Sequence, residues 1–301
     1  MEDDDDLNFT DEEIDSILAV IEEANQACLK IYSQEDCGIQ IKPDNSPVTQ
    51  ADLEVNEILT IALKKITPDI PIVSEEANPE FEARKKYNKF WIIDPIDGTK
   101  EFIKKSGEFT INLGLIENGY PIFGVIAIPC QGEIFYGGKE LQKSFVRKQK
   151  VVDGCFVKGY ETFTVKTRSI QNVTVNGVLP PGPDTKIVDI TCSKDHRHPD
   201  DWTFIEKVAQ QHYIKLKPCG STIKICRIAE GEADIYVRMS GINDWDLAAG
   251  HAIVEAAGGN VIDVNGNQLL YNTEGQRLNP FIIYGKTDLG WTDFVGGTDA
   301  N

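Results

Sequence analysis

The stretch that most constrains this chain is Phe90-Trp91-Ile92-Ile93-Asp94-Pro95-Ile96-Asp97-Gly98-Thr99. The apolar run Phe90 to Ile93 reads as a buried strand. Two acids follow it at the strand mouth, on a turn that Pro95 makes too stiff to collapse. Like charges held three residues apart repel, and that cost needs an offsetting partner. Mg²⁺ is the natural one, because it takes carboxylates and keeps several waters. Zinc is disfavoured: the chain has 4 histidines, and none shows a zinc-hydrolase pattern, with His196-x-His198 a weak exception.

The elements around this stretch can be placed by periodicity. Thr10-x-x-Glu13 is a capping box, and Ile14, Ile17, Leu18, Ile21, Ala24, Cys28 and Ile31 recur at helical spacing, predicting a helix to about Tyr32. Gln34 to Pro47 is a polar loop. A second helix begins near Thr49 or Gln50, with Asp52 in its first turn, where an acid ordinarily just answers the helix dipole. Pro71 to Glu76 reads as a short buried strand ending in Glu75 and Glu76. Glu108 to Ile116, Tyr120 to Pro129 and Glu133 to Tyr136 read as an antiparallel meander, with a hairpin signal at Asn118-Gly119. The first half is therefore α+β with an antiparallel sheet. Val151 to Val175 is strand-like but poorly patterned. Pro180-Pro181-Gly182-Pro183 is the strongest linker signal, giving domains 1–182 and 183–301. Past it, strands at 186–191, 214–216, 233–237, 261–264 and 281–284 alternate with helices at 200–211, from Gly220-Ser221-Thr222 to about Glu230, and 247–257. That is an α/β pattern.

The balance of 30 basic against 48 acidic residues, a net charge of -18, argues against nucleic-acid polymers and anionic membranes as partners. It leaves a small anionic substrate open, since bound metal reverses the local field. Seven cysteines at scattered spacing, with no C-x-x-C, argue against a disulfide framework and for a reducing compartment. With no apolar run of membrane-spanning length and an acidic start at Met1 to Asp6, the cytoplasm is the expected location. Nothing requires an oligomer.

Glu75, Asp94, Asp97 and Asp246 each sit at or just past an apolar run, where loops gather functional groups. Any one of them alone reads as a solvated turn residue or a cap. Gly220-Ser221-Thr222 with Lys224 has the makings of an anion site at a helix start, although a plain Ser/Thr cap explains it equally well. Ser193 to His198 and Arg238 read as a loop and a charge following strands, equally surface or ligand-facing. Neither the P-loop spacing nor a G-x-G-x-x-G is present.

Taken together, Ser74-Glu75-Glu76, the Trp91 to Thr99 segment, Gly220-Ser221 and Trp245-Asp246-Leu247-Ala248-Ala249-Gly250 running to Gly258-Gly259 resemble the inositol monophosphatase superfamily of Mg²⁺-dependent, lithium-sensitive phosphatases. The segments keep the family's order over nearly the whole chain after Asp11. Ser46-Pro47-Val48-Thr49-x-x-Asp52, Gly98-Thr99-Lys100-Glu101-Phe102-Ile103 and Gly107 to Asn112 are most similar to the 3'(2'),5'-bisphosphate nucleotidases within it. The resemblance implies a layered αβαβα sandwich. It implies that Glu75, Asp94, the Ile96 carbonyl, Asp97 and Asp246 hold two or three Mg²⁺ ions. Glu75 and Thr99, with Asp52, would orient the attacking water, and the Gly98 and Thr99 N–H groups would hold the scissile phosphate. Ser193, His196, Gly220, Ser221, Lys224 and Arg238 match positions contacting the nucleoside and its second phosphate; His196 or His198 aligns there, and His196 is taken. The implied reaction is hydrolysis of 3'-phosphoadenosine 5'-phosphate to AMP and phosphate, with the phosphosulfate PAPS to APS as a further reaction. The alternatives are an inositol polyphosphate 1-phosphatase or inositol monophosphatase, and, in another class, a non-catalytic cation-binding scaffold.

Overall fold

Helix α1 (Asp11–Tyr32) opens on the expected capping box: Thr10 Oγ1 accepts the Glu13 N–H at 3.2 Å and Glu13 Oε2 accepts the Thr10 N–H at 2.8 Å. The computed structural model describes residues 9–152, 155–170, 187–194, 198–287 and 289–295. The acidic start at Met1 to Asp6, the Pro180 to Pro183 linker signal and His196 lie outside them.

A short ladder of β1 (Gln40–Ile41) and β2 (Pro47–Val48) leads into α2 (Gln50–Ile66), which packs beside α1. The main sheet follows. It runs β3 (Ile72–Ser74), β4 (Lys89–Asp97), β5 (Thr110–Glu117), β6 (Tyr120–Ile128), β7 (Glu133–Gly138), β8 (Lys143–Val152) and β9 (Cys155–Val165), in that spatial order. The expected meander is present as β5 to β7, the antiparallel pairing extends beyond it to β4 on one side and to β9 on the other, and β3 joins as a parallel edge strand. The weakly patterned region after Val151 begins in a β8–β9 hairpin. Short helices α3 (Phe81–Arg84) and α4 (Thr99–Ile103) flank β4.

A two-residue strand, β10 (Ser169–Ile170), precedes a five-strand sheet. Its members are β11 (Val188–Ser193), β12 (Ile214–Cys219), β13 (Ile235–Arg238), β14 (Asn260–Asp263) and β15 (Phe281–Tyr284), ordered β12-β11-β13-β15-β14. The first three are parallel, while β15 runs antiparallel to both its neighbours. Helices α5 (Pro199–Gln211), α6 (Ile223–Ala229) and α7 (Asp244–Ala256) connect them, and β16 (Lys286–Thr287) pairs with β10.

These elements stack in five layers. The run Phe90 to Ile93 shows why. Trp91 and Ile93 join the core beneath α1 and α2, whereas Phe90 and Ile92 join a core shared with α6, α7 and the second sheet. A strand covered on both faces needs no polar alternation. α5 covers the outer face of the second sheet through Phe204, Ile205 and Val208. The order is α1/α2, large sheet, α6/α7, small sheet, α5: the αβαβα sandwich.

The middle layer sits unusually close to the large sheet. A Cβ on Gly124 of β6 would lie 2.2 Å from the Ala249 carbonyl oxygen, and one on Gly114 of β5 would lie 3.1 Å from Ala248 Cβ. Glycine on the sheet and alanine on α7 thus let the helix backbone rest on the strands. This close seat fixes where the start of α7, and with it Asp246, lies over β4. Among the described residues no helix is long and apolar enough to cross a membrane.

Candidate active site

Asp94 and Asp97 do not lie on a turn after the strand; they belong to it. β4 continues to Asp97, paired with β5 at Asp94–Asn112 and Asp97–Thr110. Three steps on β4 oppose two on β5, so the strand carries a bulge. Residues three apart on a regular strand point to opposite faces. The extra residue reverses that parity, and a bulge is also where a strand tolerates a proline such as Pro95. The result brings the two carboxylates together. Asp94, Asp97 and Asp246 each offer a ligand atom, all within 4.8 Å of one another.

Asp246 does not follow a strand either. It is the third residue of α7, and its Oδ2 accepts the Asn243 N–H at 2.9 Å in a capping box. Asp97 is held from the second half of the chain. Its Oδ2 accepts from Ser221 Oγ at 2.5 Å, Thr222 N–H at 2.6 Å and Thr222 Oγ1 at 2.5 Å. The N–H groups at the start of α6 are therefore not all free for an anion, because Asp97 caps them. Ser221 Oγ also lies 2.7 Å from Thr110 Oγ1. Ser221 and Thr222 position an acid, a role their plain Ser/Thr-cap reading half anticipates.

Glu75 follows β3, with its N–H bonded to the Ile93 carbonyl at 3.1 Å. Lys42, in the tight loop between β1 and β2, reaches Glu75 Oε1 at 2.8 Å and Glu76 Oε1 at 2.6 Å. No local signal marks Lys42, since its partners are 33 and 34 residues away. Asp52 is buried below, its Oδ2 accepting the Thr49 N–H at 2.7 Å and Oγ1 at 2.6 Å. Its other oxygen is 3.3 Å from Thr99 Oγ1, which also lies 3.2 Å from the Ile96 carbonyl. The capping acid of α2 thus reaches the first residue of α4 as well. Ile96 buries its side chain in the core.

The electrostatics follow from this crowding. Burial, then the charges of Glu75, Asp97, Asp246 and Asp52, push the Asp94 carboxyl well above the ordinary aspartate range. Burial and Asp97 do the same to Asp246, and burial raises Glu75 and Asp52. Asp94 Oδ1 is buried with no hydrogen-bond partner. A buried carboxylate oxygen without a donor, among other acids, is the environment a divalent cation satisfies, and all-oxygen donors suit Mg²⁺. The residues present fit that ion.

The acids open into a cleft of about 530 Å³. Gly98, Thr99, Ser193, Gly220, Ser221, Lys224, Arg238 and Asp246 all line it. Gly98 enters α4 with φ 91°, a left-handed conformation that favours glycine. Lys224 is buried, with Nζ on the carbonyls of Cys219 at 3.2 Å and Ser221 at 2.5 Å, and burial lowers its pKa. His198, the alternative to His196, caps α5 by accepting the Asp200 N–H at 3.4 Å.

Comparison with known proteins gives the family of the chain. The model of the inositol monophosphatase family matches residues 10–284. The curated 3'(2'),5'-bisphosphate nucleotidase CysQ of Buchnera aphidicola is 37% identical over 263 residues, 86% of this chain and 87% of its own. The protein of that name from Escherichia coli K12 is 32% identical over 272 residues, covering 89% and 97%. The crystal structure of CysQ from Bacteroides thetaiotaomicron, described as a bacterial member of the inositol monophosphatase family, superposes with TM-score 0.73 at 30% identity, over 93% of this chain and 99% of that one. The chain belongs to the inositol monophosphatase family.

Proposed function

We propose that this chain is a Mg²⁺-dependent phosphatase that removes the 3'-phosphate of 3'-phosphoadenosine 5'-phosphate to give AMP and phosphate, and likewise acts on PAPS to give APS. The observation that carries this reading is the union of Asp94, Asp97 and Asp246 at one cleft, with Asp94 Oδ1 buried and unpartnered. The nucleotidase names of relatives at 32–37% identity support the choice of substrate.

Glu75, Asp94, the Ile96 carbonyl, Asp97 and Asp246 would hold two or three Mg²⁺ ions. When bound, the ions supply a Lewis acid for the phosphoryl oxygens and acidify a water. The remaining work falls to the chain. Thr99 Oγ1, donating to Asp52 or the Ile96 carbonyl, keeps lone pairs that accept from an incoming water and set its line of attack. Glu75 accepts from the same water. The N–H groups of Gly98 and Thr99, in the first turn of α4, lack helical partners and suit the phosphate. Lys224 and Arg238 place positive charge on the cleft wall for the second phosphate. His196, assigned by the resemblance, would add a contact to the nucleoside. A small phosphorylated substrate fits the cleft volume. The cysteine spacing makes the cytoplasm the expected compartment.

The test is phosphate release from adenosine 3',5'-bisphosphate, inositol 1,4-bisphosphate and inositol 1-phosphate, with Mg²⁺, with EDTA and with added Li⁺. Release from the adenosine compound, lost in EDTA, restored by Mg²⁺ and inhibited by Li⁺, is the expected result. No release from any of the three refutes the enzyme. Preference for an inositol substrate refutes the nucleotide assignment alone.

A further inference from the structure

We infer that Glu101 is a specificity residue, whose carboxylate accepts the substrate hydroxyl on the carbon next to the one bearing the scissile phosphate. In a nucleoside 3'-phosphate that group is the ribose 2'-hydroxyl. The inference rests on the phosphatase reading above.

Glu101 is the third residue of α4, is partly buried, and lines the cleft together with Gly98 and Ser221. A Cβ placed on Gly98 would meet Glu101 Oε2 at 3.3 Å and Ser221 Cβ at 3.4 Å. The carboxylate therefore flanks the backbone proposed to hold the scissile phosphate. Its neighbours are already engaged. Ser221 Oγ is spent on Asp97, and Lys224 Nζ on two backbone carbonyls. Glu108 accepts the Gly220 N–H at 3.2 Å and pairs with Lys194. The Glu101 carboxylate has no hydrogen-bond or ion-pair partner among the described residues.

An ionised carboxylate only accepts hydrogen bonds, so the substrate group that suits it is a donor. Beside a bound phosphate ester of a sugar or cyclitol, the donor held at fixed reach is the hydroxyl on the adjacent carbon. A second phosphate on that carbon would be repelled. Glu101 thus selects an ester with a free vicinal hydroxyl, and a deoxy analogue would leave the carboxylate without its donor.

The experiment compares kcat/KM for adenosine 3',5'-bisphosphate with that for its 2'-deoxy counterpart. The ratio is independent of how much enzyme is folded. Wild type should prefer the ribose compound by about 10- to 100-fold, the range for a hydrogen bond to a charged group. Glu101→Ala should bring the ratio near unity, and Glu101→Gln, which keeps an acceptor oxygen, should fall between. A wild-type ratio near unity, or a wild-type ratio retained in Glu101→Ala, overturns the inference. If neither nucleotide is hydrolysed, the nucleotide reading has failed. The same ratio is then read on inositol 1-phosphate against its analogues lacking a hydroxyl next to the phosphate, where insensitivity to Glu101→Ala overturns the assignment.

Discussion

Asp94→Asn should stabilise the metal-free protein while destroying its chemistry. Asp94 is 1% exposed and its Oδ1 meets no donor. Burial and four neighbouring carboxylates hold its pKa well above the ordinary 3.8. An unsatisfied buried acceptor costs about 1–3 kcal/mol, more when charged. Asparagine keeps the shape, removes the charge and exchanges one oxygen for an NH2 that donates to the neighbouring carboxylates, so the variant should gain about 1–3 kcal/mol in EDTA. At about 2–4 °C per kcal/mol for a large domain, its melting temperature should rise by roughly 2–12 °C. A carboxyl with a raised folded-state pKa adds stability below its unfolded value and loses it as pH rises through the folded one. The advantage of the variant should therefore be widest at neutral pH and close as pH falls toward 3.8. Mg²⁺ stabilises wild type by binding the folded state, and that shift should be largely lost in the variant. Thermal unfolding by circular dichroism in EDTA and in Mg²⁺, at two pH values, reads all three effects. A variant that melts at or below wild type in EDTA, or keeps the full Mg²⁺ shift, would refute the argument.

Two further outcomes follow from the same geometry. Asp97→Asn should cut turnover by at least about 100-fold, as losing a preorganised electrostatic group does, with the far-ultraviolet spectrum unchanged because its remaining carbonyl oxygen still accepts from Ser221 and Thr222; activity close to wild type would remove Asp97 from the ligand set. Gly124→Ala forces a Cβ to 2.2 Å from the Ala249 carbonyl and should cost about 1–3 kcal/mol in urea unfolding, whereas a cost under about 0.5 kcal/mol, the usual bound for a surface change, would mean that α7 does not rest on the sheet.

Much of the fold was legible because its signals are local. The capping boxes at Thr10 and Thr49 start α1 and α2 where expected, and Asn118-Gly119 turns the β5–β6 hairpin with both residues at positive φ. The misread pieces depend on partners distant in sequence. Acids split by a proline look like a turn until β5 is present to reveal the bulge. Glycine at 114 and 124 looks like weakness in a strand until α7 lies on it. Ser221 and Thr222 look like caps with a free anion site, because nothing nearby in the chain announces Asp97, 124 and 125 residues away.

By itself, the sequence determined which chemical groups this protein possesses and the order in which they come: an apolar strand ending in acids, glycine and threonine, then a late W-D before an alanine-rich helix. Those follow from side-chain type and spacing along one chain. Tertiary structure alone decided their convergence. The bulge sets Asp94 and Asp97 on one side, the close packing of α7 delivers Asp246 to them, and Lys42 settles on Glu75 and Glu76. Each of these depends on close packing and charge between segments far apart in the chain, and such contacts carry no periodicity that a sequence could display.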